Sequence, residues 1–375
     1  MNNYGDELEQ EPTSAEAYNE RGWLKYEQKD YAGAILDYDK AIELDPAFVD
    51  AYNNRGIAKY EQQDYAGAIL DYNKALELDP AFVHAYNNRG IAKYKQQDYI
   101  GAILDYDKVI ELDPAFVDAY NNRGDAKSEL KDYTGAILDY NKALELDPAF
   151  VDVYNNRGIA KYEQQDYAGA ILDYNKALEL DPAFVHAYNN RGIAKYEQQD
   201  YAGAILDYDK AIELNPAFVD AYNSRGLAKY YKQDYAGAIL DYDKAIELSP
   251  NCAEAYDNRG IAKCYQQNYD EAIKDYDKAI ELDPNSAKAY NNRGAAKREL
   301  KDYTGAIKDF DKVIELDPNS AKAYSNRGRA KYYKKDYLGA IKDYCKTICL
   351  KPDYVWLLIK LQVIRLKIKL LSKII

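Results

Sequence analysis

The prolines of this 375-residue chain fall at a constant interval of 34 residues. The first is Pro12 and the last is Pro352, and the eleven positions account for every proline in the chain. An Arg-Gly pair follows the same interval and occurs ten times, from Arg21 to Arg327. A fixed period of roughly 20 to 50 residues is typical of stacked repeats. The chain is therefore predicted to be an array of ten repeats over residues 15–352, in which each repeat packs on its neighbours.

The second repeat, residues 49–82, has the pattern of two helices joined by a short turn. From Tyr65 to Leu76, apolar side chains recur at spacings of three and four, as they do on one face of a helix. Asp64 precedes this stretch and is a good N-cap residue, whereas Pro80 follows it and cannot continue a helix. A turn this short makes the two helices antiparallel. The predicted fold is all-α, an α-solenoid of ten antiparallel helix-turn-helix repeats.

Three positions of the repeat carry the same residue in all ten copies. Gly56 and its equivalents lie inside the first helix, where glycine costs roughly 1 kcal/mol relative to alanine, so a closely packed partner helix is expected there. Arg55 and Asp71 also recur in every repeat. We expect each arginine to pair with an aspartate of a neighbouring second helix and so to form a ladder of ion pairs. The alternative is two separate rows of solvated charges.

The charge of the chain limits its partners. A net charge of −13 argues against a nucleic-acid partner, because phosphate binding requires clustered lysine and arginine. The charge is also uneven: residues 1–50 contain four basic and thirteen acidic residues, whereas residues 319–375 contain fourteen basic and three acidic ones. Such a gradient can orient a charged partner, although drift among solvated positions explains it equally well.

No catalytic or metal-binding pattern is found. Four cysteines in so long a chain do not make a disulfide framework, so reduced thiols and a cytoplasmic location are expected. His84 and His186 have no histidine or cysteine partner nearby, and we predict no metal site, no cofactor and no enzyme activity. Residues 1–14 lack the basic start and apolar run of a signal peptide and are predicted to be a mobile leader.

The repeat resembles the tetratricopeptide repeat. The pattern of that family has an aromatic residue early in the first helix, a small residue four positions later, a Tyr-x-x-Ala, and a late alanine and proline. In the second repeat these positions are Tyr52, Gly56, Tyr65, Ala68, Tyr72, Ala75 and Pro80. The resemblance covers residues 15–352 and implies a right-handed superhelix that acts as a protein-interaction scaffold. Departures from the family pattern occur at Arg55, Lys59 and Gly67.

The resemblance also implies where a partner would bind. In tetratricopeptide arrays the first helices line a concave groove, and this face carries an asparagine in eight of the ten repeats. Long superhelical members, such as the repeat region of the O-linked N-acetylglucosamine transferases, use a similar row to hold a peptide backbone. A side-chain amide can both donate and accept a hydrogen bond, which suits a main chain of any sequence. The alternative is that these asparagines bond to adjacent helices.

The candidate groove residues are therefore those that share the predicted face with this row. They are Asn54, Asn88, Asn122, Asn156, Asn190, Asn258, Asn292, Asn326, Asp50, His84, Asp118, Tyr60, Tyr94, Tyr162 and Tyr196. The acidic residues among them favour an extended peptide that is neutral to basic. A groove that clamps a peptide carboxylate is poorly matched, because such a clamp requires cations at these positions.

Residues 353–375 depart from the repeat and are apolar and basic. Lys360 interrupts the apolar run, so no membrane-spanning helix is predicted. A capping segment on the last repeat is one interpretation. A membrane contact is another, in which case the protein would be a membrane-associated assembly or targeting factor. A frameshifted gene end is a third.

Overall fold

The computed structural model describes residues 12–353 and 361–364. The regular structure of these residues is helical throughout, with ten consecutive pairs of helices and one further helical turn at residues 361–364. The chain divides into two compact halves: the N-terminal half ends at Asn190 and the C-terminal half begins at Arg191. The predicted all-α solenoid of helix-turn-helix repeats is confirmed.

The twenty helices alternate between a first helix of 13 residues and a second helix of 14 residues. In chain order they are α1 Ala15–Glu27, α2 Tyr31–Leu44, α3 Val49–Glu61, α4 Tyr65–Leu78, α5 Val83–Lys95, α6 Tyr99–Leu112, α7 Val117–Glu129, α8 Tyr133–Leu146, α9 Val151–Glu163, α10 Tyr167–Leu180, α11 Val185–Glu197, α12 Tyr201–Leu214, α13 Val219–Tyr231, α14 Tyr235–Leu248, α15 Ala253–Tyr265, α16 Tyr269–Leu282, α17 Ala287–Glu299, α18 Tyr303–Leu316, α19 Ala321–Tyr333 and α20 Tyr337–Leu350.

A tight turn reverses the chain between the two helices of each repeat. In the second repeat Gln63 adopts a left-handed conformation, with φ of 65°. Its N–H donates to the carbonyl of Tyr60, and the N–H of Asp64 donates to the carbonyl of Lys59, which satisfies the last carbonyls of α3. The Asp64 carboxylate then accepts a hydrogen bond of 2.9 Å from the N–H of Gly67 and caps α4. The N-cap predicted for Asp64 is confirmed.

The glycine inside each first helix lies against the tyrosine ring of the second helix. A Cβ atom on Gly56 would lie 2.6 Å from Cε1 of Tyr72, whose ring is 1% exposed. Ala68 and Ala75, on the same second helix, are fully buried. The expected close approach of the two helices is confirmed: only a residue without a side chain leaves room for this ring.

In the second repeat, the arginine next to the row asparagine bonds to two other helices. The Nε and Nη2 atoms of Arg55 donate to the two carboxylate oxygens of Asp71, on the second helix of its own repeat, at 2.9 and 2.5 Å. Its Nη1 donates at 2.6 Å to Asp39, on the second helix of the preceding repeat. The guanidinium also lies over the ring of Tyr52, 5.5 Å from its centroid, and Lys59 forms a second ion pair with Asp71 at 2.7 Å.

The pair between arginine and buried aspartate recurs in all ten repeats, and the bond to the preceding second helix recurs within each half. The first set runs from Arg21 with Asp37 to Arg327 with Asp343. In the second set the acceptor is Asp39, Asn73, Asp107, Asn141, Asp209, Asp243, Asp277 or Asp311. The predicted ladder is confirmed, and the alternative of separate solvated rows is wrong.

The helical turn at residues 361–364 packs on the last repeat. Leu361 and Ile364 are buried, at 5% and 1% exposed, beside Ala340 and Tyr344. Such packing is what a capping segment requires, and the capping interpretation of 353–375 stays a prediction. The rest of that segment from residue 354 onward, and residues 1–11 of the predicted leader, lie outside the described residues.

The glycine–tyrosine contact predicts that Gly158→Ala destabilises the fifth repeat. In an exposed helix this change would stabilise by about 1 kcal/mol. Here the added Cβ would lie 2.5 Å from Cε1 of Tyr174, so we expect a cost of about 1–3 kcal/mol from overpacking. Hydrogen exchange of the α9 and α10 amides measures it. Gly294→Ala is the control, since the nearest atom of Phe310 would lie at 2.9 Å and the cost should be smaller. Unchanged exchange in Gly158→Ala would contradict the packing argument.

The ladder predicts unequal effects for the two aspartates that bind Arg225. The side chain of Asp241 is 4% exposed and that of Asp209 is 48% exposed. Asp241→Asn leaves Arg225 and Lys229 without their buried carboxylate and should lower the free energy of unfolding by about 3–5 kcal/mol. Asp209→Asn should cost about 0–1 kcal/mol. Chemical denaturation of both variants tests this, and equal losses would show that burial does not set the strength of the ladder.

Candidate functional site: the first-helix face

The candidate site is the surface formed by six positions of each first helix, here called the first-helix face. In α3 these positions are Asp50, Asn53, Asn54, Ile57, Tyr60 and Glu61, which follow one another at helical spacing. Asp50 and Glu61 are exposed, Asn53 is buried, and the other three are half-buried. The face therefore has charged edges and a centre of amides, isoleucine and tyrosine.

The predicted asparagine row is a chain of hydrogen bonds between consecutive first helices. Nδ2 of Asn54 donates at 3.0 Å to Oδ1 of Asn19 in the preceding repeat. The same bond, with lengths of 2.9–3.4 Å, is made by Asn88, Asn122, Asn156, Asn190, Asn258, Asn292 and Asn326. The acceptor lies in the preceding repeat, at the position equivalent to Asn53. It is an asparagine in every case except that of Asn292, which donates to Asp257. The asparagines of the row therefore do bond to adjacent helices, as the alternative interpretation of the row required.

This bonding does not exhaust the amides. A carboxamide has two N–H donors and an oxygen with two lone pairs, and the row asparagines use one donor each for the bond between helices, except Asn156, which also donates to Asp125. The oxygens of Asn54, Asn156 and Asn292 each accept one weak bond of 3.4 Å from the preceding asparagine. The bond between helices fixes the orientation of the amide plane. The row therefore consists of positioned amides, each half-buried apart from Asn258, which is 5% exposed.

The three charged or ionisable candidates lie at the start of their first helices. Asp50, His84 and Asp118 occupy equivalent positions in consecutive repeats, and all three are exposed. His84 lies between two phenylalanine rings, 6.2 Å from Phe82 and 5.8 Å from Phe116 by ring centroids. The position therefore forms the edge of the face, and the carboxylates on it leave that edge negative.

The four candidate tyrosines are partly committed to packing. Each ring lies against the first tyrosine of the following second helix, with centroid distances of 5.2–5.4 Å; the pairs are Tyr60 with Tyr65, Tyr94 with Tyr99, Tyr162 with Tyr167, and Tyr196 with Tyr201. All four rings are half-buried. Their accessible edges remain available for contact, and the hydroxyl of Tyr94 donates at 3.2 Å to Glu129.

Two cavities open on this face at equivalent positions, and sequence reasoning missed both. Repeats 2, 3, 5 and 6 carry isoleucine at the position of Ile57, whereas the fourth repeat carries Asp125 and the ninth carries Ala295. A cavity of about 270 Å³ lies beside Asp125 in the N-terminal half, and one of about 720 Å³ lies beside Ala295 in the C-terminal half. An alignment of the repeats against one another would have shown the replaced isoleucine and so indicated where the cavities lie.

The larger cavity is aromatic and basic. Cys264 and Arg298 occupy positions that hold tyrosine in most repeats, and both line it. Lys322 adds a second cation, and Tyr265 and Tyr276 form part of the wall. Arg298 forms an ion pair of 2.8 Å with Glu299, which also lines the cavity.

The smaller cavity contains a carboxylate in a wall formed by three tyrosines with Ile91, Lys95 and Asn122. The hydroxyl of Tyr140 donates to Oδ1 of Asp125 at 2.7 Å, and Nδ2 of Asn156 donates to the same oxygen at 3.1 Å. Burial raises the pKa of Asp125 to about 6, although these two hydrogen bonds act in the opposite direction. Glu129 and Asp152 add to the increase because they are negative.

The described residues contain no group of three or more histidine, cysteine or acidic side chains arranged to hold a metal ion. No helix within residues 12–353 or 361–364 is long and apolar enough to cross a membrane. The four cysteines are unpaired thiols; Cys345 and Cys349 are exposed.

Family models match most of the chain. A model described as "TPR repeat" matches residues 24–63, 58–97, 91–131, 124–165, 160–199, 192–233 and 262–297, and one described as "Tetratricopeptide repeat" matches residues 219–252 and 287–320. Together these matches cover residues 24–252 and 262–320, well over half of the chain. A search of curated protein sequences found no match.

Solved structures with a similar fold include several repeat proteins. A tetratricopeptide repeat protein from Parabacteroides merdae is 20% identical with a TM-score of 0.54, over 66% of this chain and 98% of its own. The C-terminal part of a TPR repeat-containing protein from Cytophaga hutchinsonii is 22% identical with a TM-score of 0.52, over 63% and 97%. The APC/C hetero-tetramer Cut9–Hcn1 is 16% identical with a TM-score of 0.53, over 97% and 78%. At these identities the likeness concerns the fold alone.

The raised pKa of Asp125 predicts a pH dependence of stability. Its pKa is about 6 in the folded chain and near 3.8 when unperturbed, so the folded state favours the protonated carboxyl. The associated stability is present below pH 4 and is lost as the pH rises through 6. Asp125→Asn removes this dependence. The free energy of unfolding of the variant minus that of the wild type should therefore increase between pH 4 and 6, by at most about 3 kcal/mol.

Chemical denaturation at pH 4, 5, 6 and 7 measures this difference. Asp125→Ile, which carries the residue of repeats 2, 3 and 5, should show the same trend. A difference that stays constant over this range would contradict the burial of the Asp125 charge.

Proposed function

Because this chain belongs to the tetratricopeptide repeat family, whose members generally mediate protein–protein interactions, we propose that it is a scaffold that binds an extended peptide segment along its first-helix face. It acts without chemistry of its own, as an interaction module. The observation that carries the proposal is the row of asparagine amides, one in each of repeats 2 to 6, each held in a set orientation by a bond to the preceding first helix.

The remaining bonding capacity of the row supports binding to a main chain. A peptide backbone alternates donors and acceptors, and an unoccupied amide N–H and oxygen can pair with both. An amide that is already oriented loses little further entropy on binding. The half-buried tyrosines beside the row add apolar contact area with a polar tip, a combination that suits interfaces.

The charge of the face supports a partner that is neutral to basic. In the N-terminal half, Asp50, Asp118 and Asp152 lie exposed at the start of their first helices, and Glu61, Glu129 and Glu163 lie exposed at the ends. The two edges of the face are therefore predominantly negative there. Acidic peptides would be repelled, and basic ones attracted most strongly at low salt.

The outer surface of the array supplies the matched control. Second helices carry an exposed leucine at equivalent positions, including Leu138 and Leu172, which are 64% and 68% exposed. These side chains do not belong to the first-helix face. Replacing them with serine changes the exposed apolar surface and leaves the amide row unaltered.

We predict that peptides selected from a random display library against the full chain depend on the asparagine row. The test variant is Asn54→Ala, Asn88→Ala and Asn190→Ala together, which avoids Asn122 and Asn156 beside the Asp125 cavity. Fluorescence anisotropy should show binding at least about tenfold weaker, since a net hydrogen bond contributes roughly 1 kcal/mol. Leu138→Ser with Leu172→Ser should bind as the wild type does.

Circular dichroism tests whether the triple variant retains its helices. If the helices are lost, the single variant Asn88→Ala is measured instead, and a proportionally smaller loss of affinity is expected. Equal affinity of the asparagine variants and the wild type, or failure of any peptide to be selected, would overturn the proposed groove.

A further inference from the structure

The fourth repeat differs from its neighbours at two positions of the first-helix face. Asp125 replaces the isoleucine of repeats 2, 3, 5 and 6, and Ser128 replaces the tyrosine that these repeats carry three residues later. Both changes lie on one side of α7, and Oγ of Ser128 is 3.4 Å from the hydroxyl of Tyr140. That hydroxyl also donates to Asp125. The two substitutions therefore belong to one local polar arrangement, at positions where repeats 2, 3, 5 and 6 carry isoleucine and tyrosine.

The cavity beside Asp125 has aromatic walls and one carboxylate. Three tyrosines line it, Tyr60, Tyr94 and Tyr106, together with Ile91, Asn122 and Lys95. Its volume of about 270 Å³ is slightly below the range of small-molecule pockets, roughly 300–1,000 Å³, and suits a single long side chain. Aromatic faces attract cations through their quadrupole, so the walls and the carboxylate favour the same kind of ligand.

The Asp125 carboxylate has hydrogen-bond donors and no cationic partner among the described residues. Tyr140 and Asn156 donate to one oxygen, and Asn121 approaches the other at 3.4 Å. Lys95 lines the cavity without forming an ion pair to Asp125. The buried aspartates of the arginine ladder each have two cations, for example Asp139 with Arg123 and Lys127. Asp125 thus differs from every aspartate of that ladder by the lack of a compensating charge.

We propose that the Asp125 cavity binds the side chain of a lysine or arginine of the peptide held on the first-helix face. The assignment of this side chain to a bound peptide rests on the proposed function. The affinity of the cavity for an alkylammonium or alkylguanidinium group does not depend on it. The cation supplies the charge that the carboxylate lacks, and its methylene chain packs on Tyr60, Tyr94 and Ile91. Lys95 at the cavity reduces the affinity, since it repels a second cation.

The raised pKa of Asp125 agrees with this chemistry, because a bound cation would stabilise the ionised carboxyl and lower that pKa. Glu129 and Asp152 are negative, and both favour the cation. The hydroxyls of Tyr94 and Tyr140 remain neutral in the physiological range, because burial raises the pKa of each. Binding should therefore weaken as the pH falls below about 6, where Asp125 is protonated.

The two homologous cavities allow an internal control. Ile91 lines the Asp125 cavity, and Ile261 is its equivalent in the cavity beside Ala295, which contains Arg298 and Lys322. With the full chain labelled at its isoleucine δ1 methyls, n-butylguanidinium should shift the Ile91 signal saturably. The Ile261 signal should not respond, because the one carboxylate of its cavity, Glu299, is paired with Arg298 and Lys322 adds a further positive charge. The neutral isostere n-butylurea should bind at least about tenfold more weakly, since it lacks the charge-assisted bond.

Four variants separate the local site from general electrostatics. Asp125→Ile restores the residue of the neighbouring repeats and should abolish the Ile91 shift, and Ser128→Tyr should weaken it. Glu145→Gln removes an exposed carboxylate from α8, the second helix of the same repeat, outside the cavity and outside the first-helix face, and should leave the shift unchanged. Lys95→Glu restores the acidic residue of repeats 2, 4, 5 and 6 and should strengthen binding by several-fold.

No saturable Ile91 shift in the wild type, an equal response to n-butylurea, or an unchanged response in Asp125→Ile would overturn the cation site. This holds whether or not library peptides bind, so the result is distinct from failure of the groove. If peptides are selected, the wild type should enrich a lysine or arginine at one position, and Asp125→Ile should not. Peptides selected without that difference would likewise overturn the assignment to a peptide side chain.

Discussion

The guanidinium of the repeat arginine holds together three consecutive helices. Arg55 lies over Tyr52, binds both carboxylate oxygens of Asp71 and reaches Asp39 on the preceding second helix. A planar fork with five donors can make all of these contacts at once, which a lysine ammonium cannot. Because Asp71 is almost fully buried, its charge must be compensated, and Lys59 completes the compensation. The arginine thus ties the fold of one repeat to its attachment to the previous one.

The same repeat residues produce a core that has no large aliphatic centre. Alanines on both helices are fully buried, and the largest buried side chain of most repeats is the tyrosine that faces the glycine. Small residues let the helices approach, and the ring fills the space between them. Within each half, the helices of a described repeat contact those of adjacent repeats, and the stability of such an array is a sum of repeat and interface contributions. On the first-helix face, the asparagine bonds and the packing of Ile57 and Tyr60 on the core also serve the fold.

Much of the fold follows from the sequence because its determinants are local and repeated. The Asp64 cap, the limit set by Pro80 and the close approach at Gly56 each depend on one or two residues and recur in nearly every copy. The ladder of Arg55 and Asp71 was also predictable, since two opposite charges recur at a fixed distance. The bond from Asn54 to Asn19 was recognised only as an alternative, because which amide points at which neighbour depends on side-chain torsions. The cavity beside Asp125 was not predicted, because one substitution is hidden among near-identical repeats.

Near-identity of the repeats has a further consequence for any ligand that follows the backbone of the array. An extended segment that bonds to amides spaced by one repeat finds nearly the same surface after a shift of one repeat, so several registers are almost degenerate in free energy. Repeats 2, 3 and 5 provide such copies in the N-terminal half. Asp125 and Ser128 break this translational symmetry at one place. A ligand with a group that distinguishes Asp125 from isoleucine by about 1.4 kcal/mol would occupy one register about tenfold more than each alternative. A single repeat with a different residue can therefore set the alignment of a whole segment.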